Sequence, residues 1–259
     1  MSHRSDADVM RRFSRIAAEV GTSAARYLLL DARTPGIAER WAAFIADCDL
    51  GPVEIVTFDI VAAADQLRIN LMRAGSMIPG SCHFPLLFLG EQASHDHYWL
   101  VEDDVMLTGD WGDLIRTAQG SSADLLCSHL ATFPELPNWY WWPSLHVPVP
   151  ALHQCPPASF VMKGYFPVYR ISRAALHCVL AAHRSGWSGH CEAIIPSALR
   201  HAGLAVADLN SLGGQPLYTP GALFEGEGPS RLSTMRWRPL VEPDEMRAVT
   251  GPHLFHPVK

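Results

Sequence analysis

The chain has 259 residues, 48% of them hydrophobic and 18% charged, with a formal net charge of -6. That length supports a sizeable core, and the composition is too apolar for a disordered chain. No basic cluster is dense enough to suggest nucleic acid as a partner, and no apolar run reaches the roughly 20 residues of a membrane span.

Helical spacing over Asp8 to Val20 places Val9, Phe13, Ile16 and Ala17 near one face and predicts an appended helix. Tyr27-Leu28-Leu29-Leu30 then reads as a short buried strand ending at Asp31. Thr34-Pro35 opens a helix to about Cys48, because proline suits a first turn. Val53 to Phe58 is a second buried strand, followed by Asp59. A helix is expected over about Ala62 to Arg73, a break over Gly75 to Gly80, and a further helix over Phe84 to Gln92. Tyr98-Trp99-Leu100-Val101 is a strand running into three consecutive acids, Glu102, Asp103 and Asp104. Asp110 is placed as the N-cap of the next helix.

The second half is less regular. Leu125 to Leu130 predicts a strand, and residues 131 to 157 are rich in proline and aromatics, among them Trp139-Tyr140-Trp141-Trp142. Long irregular connections often carry function. Phe160 to Ile171 predicts a strand or hairpin, Arg173 to His183 a helix, Glu192 to His201 a short helix with Pro196 early in it, and Ala205 to Leu209 a late strand. From Asn210 onward the tail shows little periodicity.

The alternation of strand and helix argues for an α/β fold with a mainly parallel sheet flanked by helices. Ligands of such sheets bind at the carboxyl ends of the strands. Asp31, Asp59 and the Glu102-Asp103-Asp104 cluster all fall there. Three adjacent acids at a buried strand end repel one another unless a cation or donors compensate them. Successive strand residues point to opposite faces, so the three can serve different ligands.

Six cysteines, Cys48, Cys82, Cys127, Cys155, Cys178 and Cys191, form no CxxC pair and no zinc-ligand spacing. The start, Met1-Ser2-His3-Arg4-Ser5-Asp6, lacks the apolar core of a signal peptide. A cytoplasmic protein with free thiols is the expectation.

Four features taken in order resemble the GT-A class of nucleotide-sugar glycosyltransferases. They are Tyr98 to Val105 as a "DXD"-type motif in Glu-Asp-Asp form, Thr108-Gly109-Asp110-Trp111 after it, Gly189-His190-Cys191-Glu192 with Pro196, and Phe255-His256-Pro257-Val258-Lys259. The resemblance implies one GT-A domain over residues 25–259 behind a helical extension at 1–24. Its nucleotide-binding half would be 25–110 and its acceptor-binding half 111–259. It implies Asp104 and His256 as ligands of manganese or magnesium, with Glu102 or Asp103 at the ribose. Asp31 and Asp59 are candidates for base or ribose contacts, and Arg33 for a phosphate; each is equally explained as a strand-end turn residue. Glu192 is the candidate general base, although a helix start also stabilises any acid. Trp139, Tyr140 and Trp141 are candidates for an acceptor platform, or for anchoring their loop to the core. Arg170 and Arg173 can be read as diphosphate contacts or surface ion pairs, and His95 and His97 as metal ligands or solvated loop residues.

The expected partners are a nucleoside diphosphate sugar, with UDP as the favoured nucleotide, and an acceptor hydroxyl or amine of unspecified identity. The alternatives are a nucleotidyltransferase of related fold and a non-catalytic nucleotide- or sugar-binding protein. The first would need a glycine-rich basic phosphate loop, which Leu30-Asp31-Ala32-Arg33-Thr34-Pro35-Gly36 fits poorly.

Overall fold

Apolar runs and local stop signals set the element order. The structure, a computed structural model, describes residues 1–154, 156–225 and 231–259. Its first part runs α1 (Ala7–Val20), β1 (Tyr27–Asp31), α2 (Ile37–Asp47), β2 (Glu54–Phe58), α3 (Ile60–Leu67) and α4 (Phe84–Gln92). Then come β3 (His97–Val101), β4 (Met106–Leu107), α5 (Trp111–Gln119), β5 (Leu125–Thr132), and the one-turn helices α6 (Val149–Leu152) and α7 (Pro157–Phe160). The chain closes with β6 (Met162–Ser172), α8 (Arg173–Arg184), α9 (Cys191–His201), β7 (Val206–Asp208), α10 (Pro243–Arg247) and β8 (Leu254–Phe255).

These elements divide between two units, each discontinuous in sequence. The first unit gathers Met1–Thr57, Val101–Ser121 and Leu209–Lys259. Its core forms where the apolar stripe of α1 and the face of α2 meet β1, with Val9, Leu28, Leu30, Ile37 and Trp41 buried together. Phe13 meets Trp41 edge-on at 5.3 Å. Burying each such side chain contributes about 1.5–3 kcal/mol. Asp6 caps α1 by accepting the Val9 N–H at 3.2 Å. A smaller cluster buries Val241, Phe255 and Val258 against Met106, Met246 and Val249. It rests on the antiparallel pairing of β4 with β8, Met106 opposite Phe255 and Leu107 opposite Leu254. That pairing returns the tail to the acidic segment.

The second unit gathers Phe58–Leu100 and Ser122–Asp208. Its sheet has the order β3-β6-β5-β7. Strand β5 runs antiparallel to β6 and parallel to β7, so the sheet is mixed. The α/β class holds, but the strand–helix alternation that suggested a mainly parallel sheet stops at β5. Strand β6 follows β5 across the irregular connection, which contributes only one-turn helices. The register slips between Leu126 and Ser128 and again between Ser128 and Ala131, where His129 adopts φ 53°. Helix α9 buries Ile194, Ile195, Ala198 and Leu199.

Helix α3 is shorter than its sequence suggests. It ends at Leu67 because Arg68 takes a left-handed conformation, φ 57° and ψ 49°. No glycine or proline marks that stop. Among the described residues, no helix is long and apolar enough to cross a membrane. Cys48, Cys82, Cys127, Cys178 and Cys191 are free thiols, and Cys155 lies outside the described residues.

Candidate metal centre and a buried carboxylate

The acidic segment leaves β3 at Val101 and turns before β4. Because β4 pairs with β8, His256 stands immediately beyond the end of the pairing strand, facing that turn. Nε2 of His256 lies 3.3 Å from Asp104 Oδ1 and 3.7 Å from Glu102 Oε2. One ligand atom from each of Glu102, Asp104 and His256 falls within 4.8 Å of the others. Donor atoms sharing one cation at about 2.1 Å lie about 3–4 Å apart, so this group can hold a metal ion. The backbone fixes the group further, since the Val258 N–H donates to the Asp104 carbonyl at 2.9 Å.

The imidazole is oriented from behind. Nδ1 of His256 lies 2.7 Å from the Arg236 carbonyl oxygen, so Nδ1–H donates there and Nε2 faces the acids. Metal-binding histidines are commonly held this way. The Arg236 carbonyl is itself fixed, because its buried guanidinium donates to Ser233, Pro239 and Leu240 carbonyls and pairs with Glu245 at 2.7 Å. Burial disfavours a charged His256, yet the hydrogen bond and charge of Asp104, with Glu102 behind it, raise its pKa above the usual histidine value. Burial likewise works against Asp104 ionisation, and His256 outweighs it, holding the carboxyl below its usual range. Asp104 and His256 thus favour each other's charged forms.

Asp103 points elsewhere. Its Oδ2 accepts from Ser2 Oγ at 2.5 Å and its carbonyl accepts from Arg12 Nε at 2.9 Å. Glu102, one of the two residues the resemblance offered for the ribose, lies in the ligand group. Asp31 and Arg33 pair with each other, Nη2 to Oδ2 at 2.6 Å, and the Arg33 hydrogen bonds hold the Asp31 carboxyl below its usual range. Asp59 caps α3, its Oδ1 accepting from Val61 and Ala62 N–H at 2.9 Å each. Arg170 is buried and donates to the Ala123 carbonyl at 2.6 Å. His95 and His97 stand outside the ligand group.

A second constellation forms at the start of α9 in the other unit. Gly189 has φ 141°, and a Cβ there would sit 2.8 Å from the Ser144 carbonyl oxygen. That close approach seats the aromatic loop on the helix start, where His190 N–H donates to Ser144 Oγ at 3.1 Å and His146 and Ser188 exchange backbone bonds. His190 is the N-cap, its Nδ1 accepting the Glu192 N–H at 3.3 Å. Trp141 stacks on His190 at 4.5 Å and 16°, and Trp139 meets the same ring edge-on at 6.3 Å. Lys163 Nζ lies 5.6 Å from the Trp139 ring centre.

Electrostatics here run opposite to those of the metal centre. Burial pushes the Glu192 carboxyl up to about 7, against the opposing charge of Lys163. Burial also pulls His190 down to about 4, so it is neutral at neutral pH. A carboxyl poised near 7 is suited to proton transfer. The four consecutive aromatics divide their work: Trp139 and Trp142 are buried, Trp141 is half-buried, and Tyr140 is 77% exposed.

Sequence reasoning missed His190, Lys163 and Arg236. A histidine cap is unusual beside the favoured Ser, Thr, Asp and Asn, and a lone lysine interrupts the apolar run Val161 to Phe166, so both left a faint signal. Arg236 acts through its backbone and left none.

No protein-family model and no curated protein matches the chain. Among solved structures it is similar to a mycobacterial protein, at 14% identity and TM-score 0.42, covering 79% of this chain and 61% of that one. It is also similar to HddC from Yersinia pseudotuberculosis, at 11% identity and TM-score 0.33, covering 65% of this chain and 64% of that one. The chain thus spans less than two thirds of either structure's length. Likeness at this level carries no argument about function.

Proposed function

We propose that the chain is a metal-dependent glycosyltransferase of GT-A type, moving a sugar from a nucleoside diphosphate donor to an acceptor hydroxyl or amine. The observation that carries this reading is the convergence of Glu102, Asp104 and His256 within 4.8 Å at the end of an acid-tipped strand. Glu102, Asp104 and His256 would hold a manganese or magnesium ion, which would neutralise charge developing on a departing diphosphate. Glu102 and Asp104 supply its oxygen ligands, and His256 supplies nitrogen in the orientation that the Arg236 carbonyl fixes.

Glu192 takes the base role. Its carboxylate accepts the proton of the acceptor hydroxyl or amine as the acceptor atom bonds to the anomeric carbon and the bond to diphosphate breaks. A base in that role implies inversion at the anomeric centre. Exposed Tyr140 and half-buried Trp141 are the aromatics of this loop available to an acceptor ring.

The test is release of UDP from a panel of UDP-sugars with manganese present. Turnover that EDTA abolishes and manganese restores, and that Asp104→Ala lacks, supports the reading. Metal-independent turnover, or Asp104→Ala retaining full activity, overturns it.

A further inference from the structure

The start of α9 holds a feature that the proposed transfer reaction does not use. The turn before α4 and the first residue of α9 meet closely: Cys191 N–H donates to the Gly80 carbonyl at 2.9 Å. A Cβ on Gly80 would lie 3.0 Å from His190 Cα, so only glycine allows the two segments this near. Each segment carries a cysteine at the junction, Cys82 on one side and Cys191 on the other. The Cys191 side chain is a hydrogen-bonding neighbour of Cys82. Cys82 is partly exposed and Cys191 is buried, so Cys82 is the more accessible of the two.

We propose that Cys82 and Cys191 form a reactive dithiol that small disulfides oxidise to an intramolecular bond beside Glu192. The Cys82 sulfur is the attacking atom. The hydrogen bond from Cys191 favours its thiolate, outweighing burial and the nearby Glu192 charge, and holds its pKa below the usual thiol value. Cys127 serves as the contrast within the same unit, since burial pushes its thiol well up and leaves it inert. The chemistry balances in two steps. The Cys82 thiolate attacks one sulfur of a small disulfide, forming a mixed disulfide and expelling one thiolate. Cys191 then loses its proton and attacks the Cys82 sulfur, forming the protein disulfide and releasing the second thiolate, which takes up the proton. Two protein thiols are oxidised by two electrons, and the small disulfide is reduced to two thiols.

The bond would tie the turn before α4 to the helix start that carries Glu192. The proposal stands apart from the assigned activity, because the thiol chemistry needs no donor, acceptor or metal.

The experiment treats the folded full-length protein with oxidised glutathione and reads intact mass and a non-reducing peptide map. The expected result is loss of two hydrogens beyond any glutathione carried on Cys48, with the peptides of Cys82 and Cys191 linked. In Cys191→Ser the reaction should stop at one glutathione adduct on Cys82, and in Cys82→Ser position 191 should stay a free thiol. Exposed Cys48, which takes an adduct in every sample, confirms that the reagent works. Adducts on Cys48 with Cys82 and Cys191 both unmodified would overturn the proposal. So would a linkage of either residue to a different cysteine, or a stable Cys82 adduct in the unsubstituted protein.

Discussion

The metal centre and the α9 corner use similar residue types to opposite ends. At Asp104 and His256, mutual attraction defeats burial and favours both charged forms. At Glu192 and His190, burial prevails and both groups are held toward neutrality. The difference lies in who faces whom. Two acids aimed at one oriented imidazole make a site for a cation. One acid among tryptophans and a neutral histidine makes a site for a proton. An acid's identity therefore says little until its partners are known.

The sharpest way to break this comparison is Glu192→Gln. Losing a general base should lower turnover about 100- to 10,000-fold while leaving manganese affinity unchanged. The measurement is steady-state kinetics beside a manganese titration, and a matching fall in metal affinity would merge the two regions into one. The same variant tests the electrostatics through stability. The folded pKa of Glu192, about 7, lies above its ordinary value of 4.5. Its contribution to stability is therefore fully present below pH 4.5 and is lost as pH rises through 7. Between those limits the unsubstituted protein should lose about 2–3 kcal/mol that Glu192→Gln keeps, read by urea unfolding at pH 5 and pH 8.

Next in size is Asp104→Ala, which should weaken manganese binding by about 100-fold or more. Free-manganese electron paramagnetic resonance reads the loss directly. The pH dependence that Glu192 gives to stability should remain, because its causes lie at α9. Arg236→Lys sharpens the same half. Lysine cannot make the five-donor pattern of guanidinium, so the carbonyl that orients His256 should loosen. About a tenfold loss of manganese affinity is expected, without a change in the acceptor's KM. The smallest effect is Trp141→Ala, which removes one stacking face worth about 0.5–1.5 kcal/mol. A rise of about 2- to 10-fold in the KM of a ring-bearing acceptor, with unchanged metal binding, would place Trp141 at that acceptor. An unchanged KM would leave it as an anchor of the 139–145 loop.

Much of the first half was legible because its signals are local. The leucine run of β1 and the aspartate cap at Asp110 each act within a few residues. The mixed sheet was not legible, since β6 reaches β5 across a connection with no periodicity. Strands β4 and β8 span two residues each, too few for alternation to show. Yet that pairing brings His256 to Asp104. Composition and spacing singled out the acids, whereas His256 entered only through the family resemblance. Glu102 and Asp103 were not separable in sequence, because their division depends on Ser2 and Arg12 claiming Asp103 from a distant segment.

The most direct test of the central claim is calorimetric titration of UDP into the protein with and without manganese, repeated on Asp104→Ala. The account predicts binding that requires both the metal and Asp104. Nucleotide binding indifferent to manganese, or no binding of any nucleoside diphosphate in its presence, would contradict it.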